Sequence, residues 1–209
     1  METPVRRPFQ IAAALLLAAA AVLFFVIGGN GTPTDASPEA GFARDMAKHH
    51  AQAVEMSFVV RDASSATDVR SLGYDIINTQ ATQRGVFMGW LQQWGLDQAS
   101  SRPDMAWMAG HGHGGTAEKP APMPGLATSQ EMAALKAAEG KDAEILYLQL
   151  MIRHHEGGVD MAKGLLKLSE RDEVATMATH IVNGQTGEIA LMTDMLKQRG
   201  AQPYPSILK

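Results

Sequence analysis

The sequence predicts an all-α protein in which a duplicated helical hairpin forms a four-helix bundle, preceded by an N-terminal transmembrane helix. Three observations lead to this prediction. Apolar residues recur at helical spacing in four long segments, the two halves of the chain align without a gap, and an uncharged apolar run stands near the N-terminus. Two antiparallel hairpins bury their apolar stripes most simply against each other, as a bundle of four helices.

The apolar run, FQIAAALLLAAAAVLFFVIGG, covers residues 9–29 and follows a short segment, residues 1–8, that contains Arg6 and Arg7. Its length is close to the roughly 20 residues that a helix needs to cross a bilayer. Basic residues before the run predict a cytoplasmic tail and a single-pass protein of the cell membrane, with its domain outside the cytoplasm. Cleavage as a signal peptide near Ala36 is the alternative, and the protein would then be secreted.

The predicted bundle occupies residues 39–200. The apolar positions of its first helix step by three or four residues, which is the spacing of one helix face, and Gly95 and Gly200 are typical C-terminal glycines. Thr128 and Glu131 form a capping box that starts a short helix. The predicted elements are, in order, a polar tether at 30–38, helices at about 39–62 and 67–94, a flexible linker at 96–127, the short helix at 128–139, helices at about 142–169 and 171–199, and a tail at 201–209.

The second half of the bundle repeats the first. A shift of 105 residues aligns residues 42–95, which we call repeat 1, with residues 147–200, which we call repeat 2. The match runs without a gap across two helices and the loop between them, so we interpret it as an internal duplication. The matched pairs include Met46/Met151, His49/His154, His50/His155, Met56/Met161, Gln80/Gln185 and Gly95/Gly200.

Each repeat places a methionine three residues before a pair of adjacent histidines, in MAKHH at 46–50 and in MIRHH at 151–155. At roughly 100° per residue, both histidines of a pair flank the core-facing stripe of their helix, with methionines before and after them. A single core-facing histidine is usually a hydrogen-bonded core residue, but two matched pairs flanked by methionines favour a metal site. The candidate ligands are His49, His50, His154, His155, Met46, Met56, Met151 and Met161.

Polar residues on the core stripes of the partner helices are candidates to hold the imidazoles. A metal-bound imidazole usually donates its second N–H to a nearby acceptor, and buried polar side chains need hydrogen-bond partners. An up-down-up-down bundle, in which the first and third helices run parallel, would bring both histidine pairs to one height. The candidates for this role are Gln80, Gln185 and Glu188.

The residue types favour copper. The chain has no cysteine, which excludes thiolate zinc sites and iron–sulfur clusters, and it has no Glu-x-x-His motif of the kind that di-iron bundles use. Imidazole and thioether ligands favour copper, especially Cu(I), and leave other transition metals open. The linker adds further candidate ligands, for which a plain flexible linker is the alternative interpretation. These candidates are Met105, Met108, His111 and His113.

We therefore predict an extracytoplasmic metal-binding protein that buffers, sequesters or delivers copper, with a metal-transfer protein as a candidate partner and the oligomeric state left open. One alternative is a metal-dependent redox enzyme in which Glu188 supplies the acid or base. Another is a non-metal helical interaction module whose histidines respond to pH. A net charge of −4 without a long basic run argues against nucleic acid as a partner. No phosphate loop, dinucleotide fingerprint or Ser/His/Asp constellation is present.

Four motifs carry a resemblance to a known family: MAKHHAQAVEM at 46–56, MPG at 123–125, MIRHHEGGVDMA at 151–162 and IVNGQTGEIALM at 181–192. With them the chain resembles, over roughly residues 40–200, the bacterial family called domain of unknown function 305. The resemblance implies a ferritin-like four-helix fold, export from the cytoplasm and, in some members, copper binding linked to copper tolerance.

Repeat 1 departs from this pattern at two positions. Gln83 stands where repeat 2 has Glu188, and Trp90 stands where repeat 2 has Met195. We therefore expect repeat 1 to bind metal less well than repeat 2, or differently.

Overall fold

A computed structural model describes residues 31–109, 119 and 122–208 of the chain. The chain divides into two compact units, Met1–Pro33 and Thr34–Lys209, and every described helix belongs to the second unit. Among the described residues of this unit, all regular secondary structure is helical and no strand occurs. Its helices are α1 (Pro38–Ala63), α2 (Thr67–Gln93), α3 (Ser129–Ala137), α4 (Gly140–Leu165) and α5 (Asp172–Gln198), with a 3-10 turn at Ala106–Met108.

The predicted transmembrane helix at residues 9–29 lies outside the described residues. Within the described part of the chain, no helix combines the length and the apolar character needed to cross a membrane.

Local sequence signals set the ends of the helices. Ser37 caps α1 by accepting a hydrogen bond from the backbone N–H of Ala40. The capping box of α3 forms as predicted, with both of its hydrogen bonds between Thr128 and Glu131. Gly95 and Gly200 stand two residues beyond the ends of α2 and α5 and adopt φ angles of 70° and 73°, a left-handed conformation that glycine adopts without strain.

Two antiparallel hairpins, α1 with α2 and α4 with α5, pack against each other mainly through α1 and α4. Hydrogen bonds between α1 and the chain around α4 define their direction. Glu39 near the start of α1 accepts from Ser169 beyond the end of α4, at 2.5 Å. Ser64 at the end of α1 donates to Glu144 near the start of α4, at 2.6 Å. The first and third long helices are therefore antiparallel.

The predicted parallel arrangement of these helices was wrong, and the connection between the hairpins explains why. Trp94 and Met105, which both follow α2, pack at the end of the bundle where α1 begins. Met132 and Leu135 of α3 pack at the other end, beside Tyr147 of α4. The connection thus travels along the bundle and starts α4 at the far end. A short connection would not reach that end.

The buried core falls into two apolar clusters separated by a polar layer. In α1, the histidines stand between Met46, which belongs to the first cluster, and Ala53, which belongs to the second. In α4 the order is reversed, with Met151 in the second cluster and Met161 in the first. We call the four histidines between the clusters the histidine layer: His49, His50, His154 and His155.

Candidate metal centre

The structure brings the two predicted histidine pairs together in the middle of the bundle. All four imidazoles are completely buried. The rings of His49 and His154 lie 3.7 Å apart between centroids and are inclined by 33°. The ring centroid of His50 lies 6.5 Å from that of His49, and the ring centroid of His155 lies 6.2 Å from that of His154. The crossing of α1 and α4 therefore gathers all four rings into one cluster.

Each imidazole has one nitrogen, Nε2, beside an oxygen atom. The pairs are His49 with the Pro124 carbonyl at 3.1 Å, His154 with the His49 carbonyl at 3.0 Å, His50 with Gln83 Oε1 at 2.7 Å, and His155 with Glu188 Oε2 at 2.7 Å. Carbonyl, amide and carboxylate oxygens accept hydrogen bonds, so each Nε2 carries the proton and donates. Each ring is thereby held in one tautomer, with its lone pair on Nδ1.

The four Nδ1 atoms are buried, and none has a hydrogen-bond partner within the described part of the chain. A buried acceptor without a partner costs free energy, so four such atoms in one cluster call for an explanation. A metal-bound imidazole coordinates through one nitrogen while its other N–H donates to an oxygen. The orphaned Nδ1 atoms therefore fit a group of metal ligands whose outer hydrogen bonds are already formed.

Burial disfavours the charged form of three of these imidazoles. It lowers the pKa of His49 and of His50 to about 3, and it lowers the pKa of His154 well below its ordinary value. The neighbouring imidazoles act in the same direction, because two positive rings would repel each other. Neutral rings at physiological pH leave the Nδ1 lone pairs free for a metal.

The four candidate methionines lie on both sides of the histidine layer. Met46 and Met161 belong to the first apolar cluster, and Met56 and Met151 belong to the second. All four are completely buried. Because α1 and α4 are antiparallel, each side receives one thioether from each helix.

The outer hydrogen-bond partners differ in part from those predicted. Glu188 holds His155 as a hydrogen-bond acceptor, but Gln80 and Gln185 are buried without a hydrogen bond from their side-chain amides among the described residues. The partner of His50 is Gln83, which sequence reasoning did not assign to this role. The signal was present, because Gln83 aligns with Glu188 in the duplication.

Repeat 2 is glycine-rich beside the histidines, and Gln185 explains one of these glycines. The amide of Gln185 packs against the backbone of Gly158, where a Cβ atom would overlap it. In repeat 1 the equivalent pair is Gln80 and Ala53.

The structure describes two of the four candidate ligands in the linker. Met105 and Met108 are buried in the first apolar cluster beside Trp107, whereas His111 and His113 lie outside the described residues. Asp45 fastens this segment, since its Oδ2 accepts from the Met105 backbone N–H and from Trp107 Nε1, each at 2.8 Å. Burial raises the pKa of Asp45 to about 6. The flexible linker predicted for residues 96–127 is thus packed against α1 at this point.

Among the described residues, no three histidine, aspartate or glutamate side chains converge closely enough to form a metal-binding group by themselves. The methionines on both sides of the layer offer thioethers as further ligands. Any metal in this layer would therefore draw on imidazoles together with the flanking methionines.

The family of domain of unknown function DUF305 matches residues 39–196. A DUF305 protein from Streptomyces coelicolor, presumed to be secreted, is 47% identical, with a TM-score of 0.75 over 82% of this chain and 99% of that chain. A DUF305 fragment from Deinococcus radiodurans is 32% identical, with a TM-score of 0.62 over 77% of this chain and 96% of that chain. None of the curated proteins matches the chain.

A third solved structure is CopM in a Cu(I)-bound form. It is 24% identical, with a TM-score of 0.57 over 77% of this chain and 96% of that chain. CopM structures with Cu(II) and with Ag show the same similarity in fold.

Proposed function

The chain belongs to the DUF305 family, and we propose that it binds a soft transition metal, with Cu(I) favoured, in its histidine layer. The observation that carries this proposal is the state of the four imidazoles. Each donates from Nε2 to an oxygen, and each leaves a buried Nδ1 without a partner. Imidazole ligands of metals have this arrangement.

The residues that would hold the metal are those of the layer and its flanks. His49, His50, His154 and His155 would offer Nδ1, and Met46, Met56, Met151 and Met161 would offer thioether sulfurs. Thioethers favour Cu(I) over harder cations such as Fe(II). The bound ion would supply a soft Lewis acid that these donors stabilise. The Cu- and Ag-bound CopM structures are consistent with this choice at the level of the fold alone.

Charge balance also favours a monovalent ion. Imidazole and thioether groups bind a metal as neutral donors, and Glu188 contributes a carboxylate through its hydrogen bond to His155. A monovalent cation beside one carboxylate leaves a neutral site, whereas a divalent cation leaves an excess positive charge in a buried environment. Burial of an uncompensated charge is costly.

The burial of the layer supports storage or delivery over catalysis. A catalytic metal needs an open coordination position that a substrate reaches. The four imidazoles are completely buried, and Glu188, with 27% of its side chain exposed, connects the layer to solvent. We therefore favour buffering, sequestration or hand-over of the metal, with a metal-transfer protein as the candidate partner.

We place the domain outside the cytoplasm, as a ferritin-like bundle with one long crossover connection between its hairpins. The location rests on Arg6 and Arg7 before the apolar run at 9–29, and the presumed secretion of the relative from Streptomyces coelicolor agrees with it. Retention of the run as an anchor and its cleavage as a signal peptide remain the two forms of this proposal.

The proposal is tested by titrating the full-length, metal-free chain in mild detergent with Cu(I) against a competing chelator, beside Cu(II), Zn(II) and Fe(II). We expect Cu(I) to bind most tightly. His154→Ala/His155→Ala should abolish this binding, whereas His180→Ala, at an exposed position of α5, should retain it. Absence of metal binding by the wild-type chain would reject the proposal.

A further inference from the structure

A short segment of the connection between the hairpins reaches into the histidine layer. Residues 123–128, which we call the strap, precede α3 and lie against α4. The strap supplies the Pro124 carbonyl that accepts from His49 Nε2 at 3.1 Å. The other three acceptors around the layer belong to α1, α2 and α5. One of the four imidazoles is thus held from outside the long helices.

Two glycines permit the strap to approach this closely. A Cβ atom on Gly157 of α4 would overlap the Pro124 carbonyl, coming within 2.6 Å of its carbon. Gly125 in the strap has a φ of 77°, and a Cβ there would overlap the backbone carbonyl of Arg153. The backbone of the strap therefore contacts the backbone of α4 directly. A side chain at either Gly125 or Gly157 would prevent this contact.

Side chains from both α1 and α4 fasten the strap. The amide of Gln52 in α1 donates to the Ala127 carbonyl at 2.9 Å and accepts from the Ala127 N–H at 2.7 Å. Arg153 in α4 forms a two-pronged ion pair with Glu131 of α3, at 2.7 and 2.8 Å, and donates to the Leu126 carbonyl. These bonds limit the freedom of the backbone that carries the Pro124 carbonyl.

We infer that the strap is a positioning element of the candidate metal centre: through the Pro124 carbonyl it fixes the tautomer and orientation of His49, and Gly157 sets its approach. This inference rests on the proposed function for its metal-binding part. It also makes the repeats interdependent. His154 of repeat 2 is oriented by the backbone of repeat 1, and His49 of repeat 1 is oriented by a strap seated on α4 of repeat 2.

The test uses full-length, metal-free chain labelled with ¹⁵N at histidine, in mild detergent, and reads the ring nitrogen shifts of His49. In the wild type we expect a protonated Nε2 and an unprotonated Nδ1. Gly157→Ala should produce a mixture of tautomers. The control Gly187→Ala is also a helix glycine, but its Cβ meets no atom within 4 Å, so it should match the wild type.

Metal affinity is the second readout, measured with Cu(I) and a competing chelator. Loss of an outer hydrogen bond to a ligating imidazole typically lowers affinity about 10- to 100-fold, so we expect this loss in Gly157→Ala and none in Gly187→Ala. Gln52→Ala covers the case in which Gly157→Ala does not fold, because it loosens the strap without adding volume. It should act in the same direction with a smaller effect.

Retention of a single His49 tautomer in both Gly157→Ala and Gln52→Ala would overturn the inference, as would a wild-type His49 without a protonated Nε2. A mixed tautomer with unchanged Cu(I) affinity would overturn the positioning role at the metal. A wild-type chain that binds no metal would defeat the proposed function, while the ring nitrogen shifts would still decide whether the strap holds His49.

Discussion

His49 and His154 pack with ring centroids 3.7 Å apart, and Nε2 of His154 donates to the backbone carbonyl of His49 at 3.0 Å. The duplication makes these two residues equivalent, since they are separated by the repeat shift of 105 positions. The two repeats therefore meet at a corresponding point of their helices. Each hairpin contributes one pair of adjacent histidines, and the two pairs form a cluster of four imidazoles because the hairpins pack against each other at this point.

Metal should stabilise the native protein. A ligand that binds only the folded state at 100 times its Kd adds about 2.7 kcal/mol to the free energy of unfolding. For a domain of this size, that corresponds to a rise in Tm of roughly 5–11 °C. Calorimetry of the metal-free chain with and without Cu(I) checks this, and a chelator should reverse the shift. The variant His154→Ala/His155→Ala should show no shift.

The metal-free protein should lose stability as the pH falls below about 6.5. The pKa values of His49 and His50 lie near 3 in the folded state and near 6.5 when unfolded, and that of His154 is also lowered. Between these values the unfolded chain binds more protons, so acid favours unfolding. His49 and His50 each contribute about 1.4 kcal/mol per pH unit, and His154 acts in the same direction. Urea unfolding between pH 7 and pH 4 measures this slope.

Asp45 should act against this slope. Its pKa is raised from 3.8 to about 6, so between these values the folded state binds the extra proton and acid favours folding. Asp45 therefore offsets about 1.4 kcal/mol per pH unit of the histidine effect. In Asp45→Asn the stability should fall more steeply between pH 6 and pH 4. A slope that does not change would show that this carboxyl titrates normally.

Replacement of the acidic partner of His155 should weaken metal binding. Glu188→Gln gives repeat 2 the side chain that holds His50 in repeat 1 and removes the negative charge beside the layer. We expect Cu(I) affinity to fall about 10- to 100-fold. Gln83→Glu in the Glu188→Gln background puts one carboxylate back beside the layer and should recover the affinity. Equal affinities in the wild type and both variants would contradict the charge argument.

Gly41 should not tolerate a larger side chain. A Cβ atom at this position of α1 would lie 2.5–2.8 Å from three atoms of Trp107, which is packed in the first apolar cluster. Overpacking of a closed core typically costs about 1–3 kcal/mol, so Gly41→Ala should destabilise by that amount in urea unfolding. The matched change Gly184→Ala, in open space on α5, should stabilise by up to about 1 kcal/mol through helix propensity.

Much of the fold could be predicted because the sequence signals of a helix lie within the helix and at its ends. The apolar period placed His49 and His50 on the buried side of α1, and both are completely buried. Capping at Thr128 and the glycine at position 95 marked helix ends that the structure confirms. Each of these signals acts between residues close in sequence, so it does not depend on how the helices pack.

The direction of α4 relative to α1 could not be predicted in the same way. Periodicity defines which face of a helix is buried, and that face is the same for both directions of the helix. The path of the connection through Trp107 and the strap decides the direction, and this path depends on contacts between residues far apart in sequence.

The sequence by itself determined the helices, the duplication and the eight candidate ligands, because these follow from spacing along one chain. Only the tertiary structure decided what holds each imidazole. The acceptor of His49 is the backbone carbonyl of Pro124. Because every residue has a backbone carbonyl, the sequence does not indicate which one accepts this hydrogen bond. The acceptor exists because Gly157 lets the strap backbone reach the layer, and that approach forms only when α1, α4 and the strap have packed.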